Sequence, residues 1–470
     1  MPKQREVSRR DFLATGAKAA AGTALVAPVV ARAAESEAVK STVPHTVLGA
    51  NERILTGHIG LGGMGTDNLR FVLERDDIQP IAVCDIYPPH KDRAAGLVEE
   101  KWPAPSRHHH FREILENKDV DAIVIATPDH WHAIPTIEAC DAGKDVWCEK
   151  PLATTIEEGI RMVDAVRRKN RVFQGGTMQR SGALFQETVE LIQSGYLGKV
   201  ARVETFIHDK NTRAAGMGNP PDEEPPAGCD WEFHQGWTKR VPFNHNRWLH
   251  SFRWFLDYSG GKITDWGAHL VDIAVWAMGE SKVPRSIAAS GGKFVMTDNR
   301  TTPDTLDVLW EFDDYVLSFS NRAYNGVPPY LSHYGIIFHG ERGSLFVNRE
   351  GYEAIPAPFG DKPDCEPKSR GDTPDAPPHF ETYSDCTGTM NAPHWQNFAD
   401  CVRSRSRCTC DVEVLHNSTT LCHMGTCAYV AGGMLHWDPE EARFVGNDLE
   451  VVKRANEFAY RPYHNGWKLT

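Results

Sequence analysis

A glycine-rich hexapeptide near residue 60 constrains the fold of this chain more than any other feature. Gly60-Leu61-Gly62-Gly63-Met64-Gly65 follows a predicted buried strand from Arg53 to Gly60, and a helical pattern from Thr66 to Leu73 comes next. Glycines at these positions permit a tight strand-to-helix turn and let a ligand approach the backbone closely. The helix N-terminus then offers free N–H groups to a phosphate. The pattern predicts a dinucleotide-binding βαβ unit.

A carboxylate at the end of the next predicted strand indicates which dinucleotide is bound. This strand spans Ile78 to Asp85. Asp85 can accept hydrogen bonds from both hydroxyls of the adenine ribose, and its charge would repel the 2′-phosphate of NADP. Ile86 and Tyr87 follow it, so no adjoining Arg is present to bind such a phosphate. We therefore predict NAD as the cofactor.

Strands and helices continue to alternate along the next ninety residues. The predicted elements are a strand at 120–126, a helix at 134–142, a strand at 145–148, a helix at 155–169 and a strand at 172–174. Such units form a doubly wound parallel sheet, and its ligands lie at the carboxyl ends of the strands. Thr127-Pro128 and Glu149-Lys150 follow two strand ends, so we expect them beside the cofactor.

Two further motifs resemble those of one enzyme family. The first is Glu149-Lys150-Pro151, preceded by Thr127-Pro128-Asp129-x-x-His132, and the second is Gly260-Gly261-x-x-x-Asp265-x-Gly267-x-His269-x-x-Asp272. At this separation, behind a dinucleotide fold, they resemble the Gfo/Idh/MocA oxidoreductases. The resemblance covers nearly the whole chain after its N-terminal segment. One departure is Asp129, where many members carry Asn.

The glycine motif, the strand ends and this resemblance together predict the residues of the site. The resemblance implies that Lys150, Asp265 and His269 line the substrate site beside the nicotinamide, and that the Lys150–Pro151 peptide is cis. The predicted cofactor-binding residues are Gly60, Gly62, Gly63, Met64, Gly65, Asp85, Thr127, Pro128, His132, Glu149 and Lys150.

A predicted helix over 265–277 brings polar side chains to one face. Asp265, His269, Asp272 and Trp276 recur at helical spacing. Charged groups on a largely buried helix are costly unless they line a wet or reactive pocket, and the alternative is a capped helix with internal hydrogen bonds. We therefore predict that this face belongs to the active site.

Oxidation of a secondary alcohol needs a base for the hydroxyl proton and a carbon that presents its hydride to the cofactor. His269 is the predicted base because its ordinary pKa lies nearest neutrality. Asp265 would orient His269 or bind a neighbouring hydroxyl, and Lys150 would stabilise alkoxide character on the reacting oxygen.

Aromatic and basic residues cluster just before this helix. Six of the thirteen tryptophans lie between Trp231 and Trp276. Aromatic rings stack on the apolar faces of sugars and Arg binds hydroxyls or carboxylates, so a sugar platform is predicted, with core packing as the alternative. The tentative substrate residues are Gln179, Arg180, Arg253, Trp254 and Asp272.

The chain offers little sign of a metal or of a nucleic-acid partner. Cys408 and Cys410 lack a second pair at zinc spacing, and His108-His109-His110 precedes a predicted helix in a loop, so no metal is predicted. A net charge of −12 argues against nucleic acid and an anionic membrane as partners. The expected partner is a small carbohydrate or glycoside.

The N-terminus carries an export pattern. Ser8-Arg9-Arg10-Asp11-Phe12-Leu13 precedes a short apolar stretch, and Ala31-Arg32-Ala33 supplies a cleavage pattern. We predict a twin-arginine signal peptide over 1–33 and a periplasmic or extracytoplasmic location. Since that pathway moves folded proteins, NAD would leave the cytoplasm already bound.

These observations predict an α/β plus α+β protein. A Rossmann domain with a doubly wound parallel sheet is expected over 51–176. A substrate and oligomerisation domain is expected over 177–470, and the resemblance implies a large, mostly antiparallel open sheet with helices there, whose outer face makes a homo-oligomer. The function is predicted to be redox-neutral cleavage of a glycoside through a keto-sugar, with recycled NAD.

Two alternatives stay open at this point. One is an exported sugar dehydrogenase that releases an oxidised product, because family relatives known for redox-neutral cleavage carry a different motif where this chain has Glu149-Lys150-Pro151. The other is a non-catalytic sugar-binding protein with vestigial NAD. The set of Lys150, Asp265 and His269 argues against that second alternative.

Overall fold

The structure is a computed structural model that describes residues 53–208, 216–327, 332–357, 368–371 and 387–469. The predicted signal peptide over 1–33 lies outside these residues, as do positions 51 and 52 of the predicted Rossmann domain. Among the helices described, none combines the length and the apolar character needed to cross a bilayer.

The first half of the molecule is built on a parallel sheet of six strands, of which the edge strand at Ser106–His108 is mostly exposed. Its strands are β1 (Ile54–Ile59), β2 (Ile78–Cys84), β3 (Ser106–His108), β4 (Ala122–Ile125), β5 (Asp145–Cys148) and β6 (Phe173–Gly175). They lie in the order β3-β2-β1-β4-β5-β6, which is the order of a Rossmann fold. The strand order reverses between β1 and β4, so ligands are expected at the carboxyl ends of these two strands.

Helices cover both faces of this sheet. They are α1 (Gly63–Leu73), α2 (Pro88–Glu99), α3 (Phe111–Leu115), α4 (Ala133–Asp141) and α5 (Ile156–Arg168). The sequence signal for α5 is a capping box, in which Thr155 accepts from the backbone of Glu158 and the Glu158 side chain accepts from the backbone of Thr155. The predicted doubly wound sheet is confirmed.

The second half contains a larger mixed sheet. Its strands are β7 (Val200–His208), β8 (Ser286–Gly292), β9 (Thr305–Glu311), β10 (Val316–Arg322), β11 (Tyr334–Gly340), β12 (Gly343–Val347), β13 (Gly351–Pro356) and β14 (Lys368–Gly371). Their order is β14-β13-β12-β11-β7-β10-β9-β8, and among these neighbours only β7 and β10 run parallel. The prediction of a large, mostly antiparallel open sheet is confirmed.

Within the described residues, six helices follow the Rossmann half along the chain, and one of them, at Thr387–Ser404, packs in the core of the first sheet through Trp395 and Phe398. They are α6 (Ala183–Gln193), α7 (Trp231–Gln235), α8 (Ala268–Met278), α9 (Thr387–Ser404), α10 (Val412–Ala431) and α11 (Leu449–Ala459), and a small pair of strands, β15 (His436–Asp438) and β16 (Arg443–Val445), precedes α11. Helices α8 and α10 share one apolar core with the second sheet. His416 and His423 of α10 are buried.

The helix predicted over 265–277 differs from the observed one. Residues Ile263–Gly267 form a π-helical turn, and the regular helix α8 begins only at Ala268. A π turn adds a residue to the helical repeat and rotates the side chains before it relative to those after it. The regular period predicted for this helix is therefore wrong at its start. The predicted single face is not observed either, because Asp265 and His269 line one cavity whereas Asp272 and Trp276 lie outside its wall.

Candidate active site

A cavity of about 940 Å³ opens at the carboxyl ends of β1, β2, β4 and β5 and reaches the π turn before α8. One end is lined by the glycine loop and Asp85. The other end is lined by Lys150, Asp265 and His269 together with aromatic side chains. A cavity of this size and form is typical of a site that holds a cofactor and a small substrate together.

The glycine loop is shaped to hold a dinucleotide. Gly60 has φ of +81°, and a Cβ there would lie 2.6 Å from the backbone nitrogen of Thr127. A Cβ on Gly65 would lie 1.9 Å from the carbonyl oxygen of Gly60, so both positions require glycine. Beside Gly63, in contrast, the space is open, as a pyrophosphate at the N-terminus of α1 requires. Met64 extends to the rim of the cavity.

Asp85 stabilises the glycine loop through a hydrogen bond and lines the cavity. Its Oδ2 accepts a hydrogen bond from the backbone of Leu61 at 2.7 Å, and its Oδ1 accepts one from Tyr87 at 2.8 Å. An ionised carboxylate has about four acceptor sites, so capacity remains for the hydroxyls of a ribose. The residues of this end of the cavity therefore fit NAD.

Side chains after β4 connect the cofactor end with the catalytic end. Thr127 and Pro128 line the cavity, as predicted for cofactor contacts. His132 lies between two carbonyl oxygens, with Nδ1 2.8 Å from that of Pro151 and Nε2 3.0 Å from that of Thr127. The ring thus joins the strand ends of β4 and β5, and it positions Lys150 through Pro151.

Two carboxyl groups near these strand ends are almost completely buried. Asp129 accepts a hydrogen bond from the Ser259 hydroxyl at 2.5 Å, and burial raises its pKa. Glu149 accepts one from Asn68 at 2.8 Å, and burial raises its pKa as well. Through Asn68, Glu149 holds helix α1 against the end of β5 and so fixes the shape of the cofactor cradle.

Lys150 and Asp265 form an ion pair in the cavity wall. Lys150 Nζ donates to Asp265 Oδ1 at 2.8 Å and to the Asp265 carbonyl oxygen at 2.9 Å, and the Lys150–Pro151 peptide is cis, as the resemblance implied. Arg253 Nε lies 3.7 Å from the same Oδ1. Burial alone would raise the pKa of Asp265, but the charges of Lys150 and Arg253 hold it well below its usual range.

His269 lies beside this pair and is nearly inaccessible to solvent, with an exposed fraction of 5%. Burial lowers the pKa of His269 well below its ordinary value, and the charges of Lys150 and Arg349 lower it further. The imidazole is therefore neutral at neutral pH. Its Nδ1 is buried without a hydrogen-bond partner, and the ring lines the cavity.

Arg180 and Asp272 lie outside the cavity wall. Arg180 donates to both oxygens of Asp272 at 2.7 and 2.8 Å and to Glu280 at 2.5 Å, and its guanidinium stacks on Trp276. Asp272 is completely buried and also accepts from Ser418. The assignment of Arg180 and Asp272 to substrate binding is corrected, because each is enclosed by the other in a structural ion pair.

The remaining tentative substrate residues divide as well. Arg253 lines the cavity. Gln179 is completely buried and is not part of the cavity wall. Its amide nitrogen donates to the His269 carbonyl oxygen at 3.2 Å, and its amide oxygen accepts from Arg349 Nε at 3.0 Å. Trp254 is not among the residues of the cavity wall; its ring stacks on Arg300 instead. Gln179 is therefore a positioning residue, and the assignment of Trp254 to the substrate is corrected.

Sequence reasoning missed two residues of the catalytic end. Arg349 follows β12 and stacks on Trp266, with its Cζ 4.7 Å from the ring centroid, and both side chains line the cavity. Trp266 sits within the second motif, so its position could have been inferred from its neighbours Asp265 and Gly267. Nothing local in the sequence marks Arg349, because the pairing of β11 with β12 brings it to the site.

A segment that we call the cover, residues 230–259, forms one side of the cavity. Seven of its side chains line the cavity: Phe233, His234, Trp248, Leu249, His250, Phe252 and Arg253. The cover is tied to the Rossmann half by Trp131 and His130, whose ring nitrogens lie 3.0 and 2.7 Å from the His234 carbonyl oxygen. Trp237 donates in return to the His130 carbonyl oxygen at 2.6 Å.

The last residues of the chain hold the cover in place. We call residues 460–469 the tail. Its Trp467 packs edge-to-face on Trp131 of the Rossmann half and on Phe233 of the cover, with ring centroids 4.8 and 5.8 Å apart. Tyr463 stacks on Trp237 at 4.4 Å, and Asn465 donates to two carbonyl oxygens of the cover. The tail thus joins both sides of the cavity.

The histidine run predicted to be a solvated loop is partly structural. His109 Nε2 lies 2.8 Å from Asp230 of the cover, and His110 caps α3 by accepting from Arg112. Within the described ranges, no three His, Cys, Asp or Glu side chains come together in a way that could hold a metal ion.

Three family models match the chain. An oxidoreductase-family model with an NAD-binding Rossmann fold matches residues 54–177. A GFO/IDH/MocA C-terminal domain model matches residues 225–346, and an oxidoreductase-family C-terminal alpha/beta domain model matches residues 360–469. Together these models cover well over half of the 470 residues.

Curated relatives resemble part of the chain. A glycosyl hydrolase family 109 protein 1 from Shewanella sp. (strain ANA-3) and an alpha-N-acetylgalactosaminidase from Shewanella oneidensis are each 27% identical over 213 residues. In both cases the match covers 43% of this chain and 46% of the relative, so the chain spans about half the length of the curated relatives it matches.

Solved structures share the whole fold at low identity. A WlbA dehydrogenase from Chromobacterium violaceum, in complex with NADH and UDP-GlcNAcA, has a TM-score of 0.59 at 20% identity over 83% of this chain and 97% of that one. A levoglucosan dehydrogenase in complex with NADH has a TM-score of 0.60 at 19% identity over 82% and 98%. At these identities the similarity establishes the fold alone.

Proposed function

Because the chain belongs to the Gfo/Idh/MocA family of NAD-dependent oxidoreductases, we propose that it acts on a carbohydrate hydroxyl and that its net reaction is cleavage of a glycoside without net oxidation. The observation that carries the proposal is the trio of Lys150, Asp265 and neutral His269 in one cavity wall, with a cofactor cradle at the other end. Curated relatives named as glycosyl hydrolases support the choice of cleavage.

The trio supplies the groups that oxidation of an alcohol requires. Neutral His269 can accept the hydroxyl proton, whereas an imidazolium could not. Lys150 Nζ, held by Asp265, can donate a hydrogen bond to the same oxygen as negative charge develops on it. NAD, when bound, supplies the hydride acceptor and later returns the hydride, so that no electrons leave the site.

Cleavage then follows from the acidity of the carbon beside the new carbonyl group. A base removes the proton from that carbon, and the glycosidic C–O bond breaks as the aglycone oxygen takes up a proton. Water adds to the resulting unsaturated sugar, and the carbonyl group is reduced back to the alcohol. Overall one glycoside and one water give one sugar and one aglycone, and the balance requires no external oxidant.

The cover and the tail support the proposal that NAD stays bound through many turnovers. Residues of the cover line the cavity, and Trp467 of the tail packs on both sides of it. Such contacts would slow the dissociation of a nucleotide that lies beneath the cover. Retention is required if the protein works outside the cytoplasm, which we propose from the twin-arginine pattern at Arg9 and Arg10.

A second candidate is a sugar dehydrogenase that releases an oxidised product. Glu149-Lys150-Pro151 favours it, because family relatives known for redox-neutral cleavage carry a different motif at this position. For both candidates we further propose a homo-oligomer formed through the outer face of the large sheet.

The two candidates are separated by incubating the purified protein with a panel of 4-nitrophenyl glycosides. Aglycone release and NADH absorbance are recorded together, without added acceptor. The proposed function predicts many equivalents of aglycone per protein and no accumulating NADH. Lys150→Met is the inactive reference. Release of an oxidised sugar that depends on an added electron acceptor would instead establish the dehydrogenase.

A further inference from the structure

Arg349 is buried at the catalytic end of the cavity without a carboxylate partner. The three arginines that are less than a tenth exposed in the described part of the chain are Arg180, Arg300 and Arg349. Arg180 pairs with Asp272 at 2.7 Å and Arg300 with Asp298 at 2.8 Å. The contacts of Arg349, in contrast, are the amide oxygen of Gln179 and the ring of Trp266.

Glu350, the next residue along the chain, forms no ion pair with Arg349 within 4 Å, although the charge of Arg349 opposes the rise in the pKa of Glu350 that burial causes. Glu350 Oε1 accepts from the Tyr334 hydroxyl at 2.8 Å, and its Oε2 is buried without a hydrogen-bond partner. A guanidinium removed from water without an opposite charge is costly, unless a ligand supplies that charge. Because Arg349 lines the cavity, a ligand can reach it.

Two further positively charged side chains lie in the wall around Arg349. Lys150 and Arg253 both lie within 4 Å of one carboxylate oxygen of Asp265, so two cations share a single anion. Asp129, also in the wall, hydrogen-bonds to Ser259. Glu149, the third carboxylate of this end, accepts from Asn68, so none of the three carboxylates in this wall forms an ion pair with Arg349.

The phosphates of NAD do not account for the unpaired cation. The pyrophosphate belongs at the glycine loop beside Gly63, in the Rossmann half of the cavity. Arg349 lies instead with Trp266 and is joined through Gln179 to the backbone of His269, at the substrate end. The missing negative charge must therefore come with the substrate.

We propose that the substrate of this site is an anionic sugar, whose carboxylate or sulfate group binds the guanidinium of Arg349. The inference rests on the proposed function and names its substrate class. Stacking on Trp266 and the hydrogen bond from Nε to Gln179 fix the plane of the guanidinium and leave its two terminal nitrogens for a bidentate contact with the anion.

An anion at Arg349 would also make His269 a stronger base. The positive charge of Arg349 is one of the causes that lower the pKa of His269. A bound carboxylate or sulfate cancels that charge locally, so the imidazole accepts a proton more readily when the correct substrate is present. Recognition of the anion and activation of the base are thereby coupled.

The test compares acidic and neutral members of matched pairs: 4-nitrophenyl glucuronides with glucosides, and galacturonides with galactosides, in both anomers. A 6-sulfated galactoside forms a second arm and distinguishes sulfate from carboxylate. We expect kcat/KM at least tenfold higher for the acidic member of at least one pair. Arg349→Gln should remove most of that preference through KM, and Arg349→Lys should restore part of it.

Arg202→Gln is the matched control, because Arg202 lies on β7 and pairs with Glu204 outside the cavity. A preference for the neutral member of every pair, or equal losses on both members in Arg349→Gln, would overturn the proposal. If no glycoside is cleaved, the proposed function fails, and calorimetry of glucuronate, galacturonate and galactose 6-sulfate decides the inference. Binding weakened tenfold by Arg349→Gln supports it, and no binding to the wild-type protein overturns it.

Discussion

Removing the Trp467 side chain should release the cover and speed the exchange of bound NAD. Trp467 packs edge-to-face on Trp131 and Phe233, at 4.8 and 5.8 Å between centroids. Each such pair contributes about 0.5–1.5 kcal/mol. The loss of both in Trp467→Ala amounts to about 2 kcal/mol, which corresponds to an exchange rate about thirtyfold higher. The loss of the contact with Phe233 alone, about 1 kcal/mol, would raise the exchange rate about fivefold.

The exchange is measured by adding an excess of isotopically labelled NAD and following the mass of the protein–nucleotide complex by native mass spectrometry. Trp437→Ala is the matched control, since Trp437 makes a similar edge-to-face contact with Phe444 at 5.0 Å, outside the cavity wall. Thermal unfolding of both variants reports any general loss of stability. Equal exchange rates in the two variants would refute the role assigned to the tail.

Three further predictions concern the catalytic end and the buried ion pair. Lys150→Met and Asp265→Asn should each reduce turnover about a hundredfold or more while bound NAD, measured after denaturation, is retained; loss of NAD in both would indicate a structural role. Because the pKa of His269 lies well below its ordinary value, the imidazole stays neutral as the pH falls from 8 to 6, so kcat/KM should show no acid limb near 6.5. A limb there that His269→Ala abolishes would contradict this. Arg180→Met should cost about 3–5 kcal/mol of unfolding free energy by leaving Asp272 buried and unpaired; an unchanged denaturant midpoint would refute the structural role.

The first half of the fold follows closely from local sequence signals. The predicted strand at Arg53–Gly60 is β1, at Ile54–Ile59, and the strand at 145–148 has the same bounds as β5. These strands are short, buried segments rich in apolar residues, and glycines and charged residues bound them, so local signals identify them. The family resemblance and the NAD cofactor are confirmed by the matching family models.

The catalytic end was only partly predictable. Lys150, Asp265 and His269 do meet in one cavity, but Asp272 lies outside its wall in an ion pair with Arg180, and the π turn at Ile263–Gly267 was not predicted. An extra residue in a helical turn leaves no mark in hydrophobic periodicity. The position of Arg349 depends on strand pairing across the sheet, a long-range contact that no local pattern encodes.

The cover and the tail also depend on contacts between residues that are far apart in the sequence, which local patterns do not encode. The aromatic cluster around Trp248 was predicted to form a sugar platform, whereas most of it packs into a small core that supports the cover. Trp467 and Tyr463 lie more than two hundred residues away along the chain and carried no motif. Their role emerges only when the tail is seen between Trp131 and Phe233.

The central claim is that NAD oxidises the sugar transiently and takes part in every turnover without being consumed. The most direct measurement is the cleavage of an active glycoside in deuterated water, with the product analysed by NMR spectroscopy and the cofactor by absorbance. The account predicts deuterium on the carbon next to the transiently oxidised one, over many turnovers and without accumulation of NADH. Sustained cleavage with only hydrogen at that carbon would contradict it.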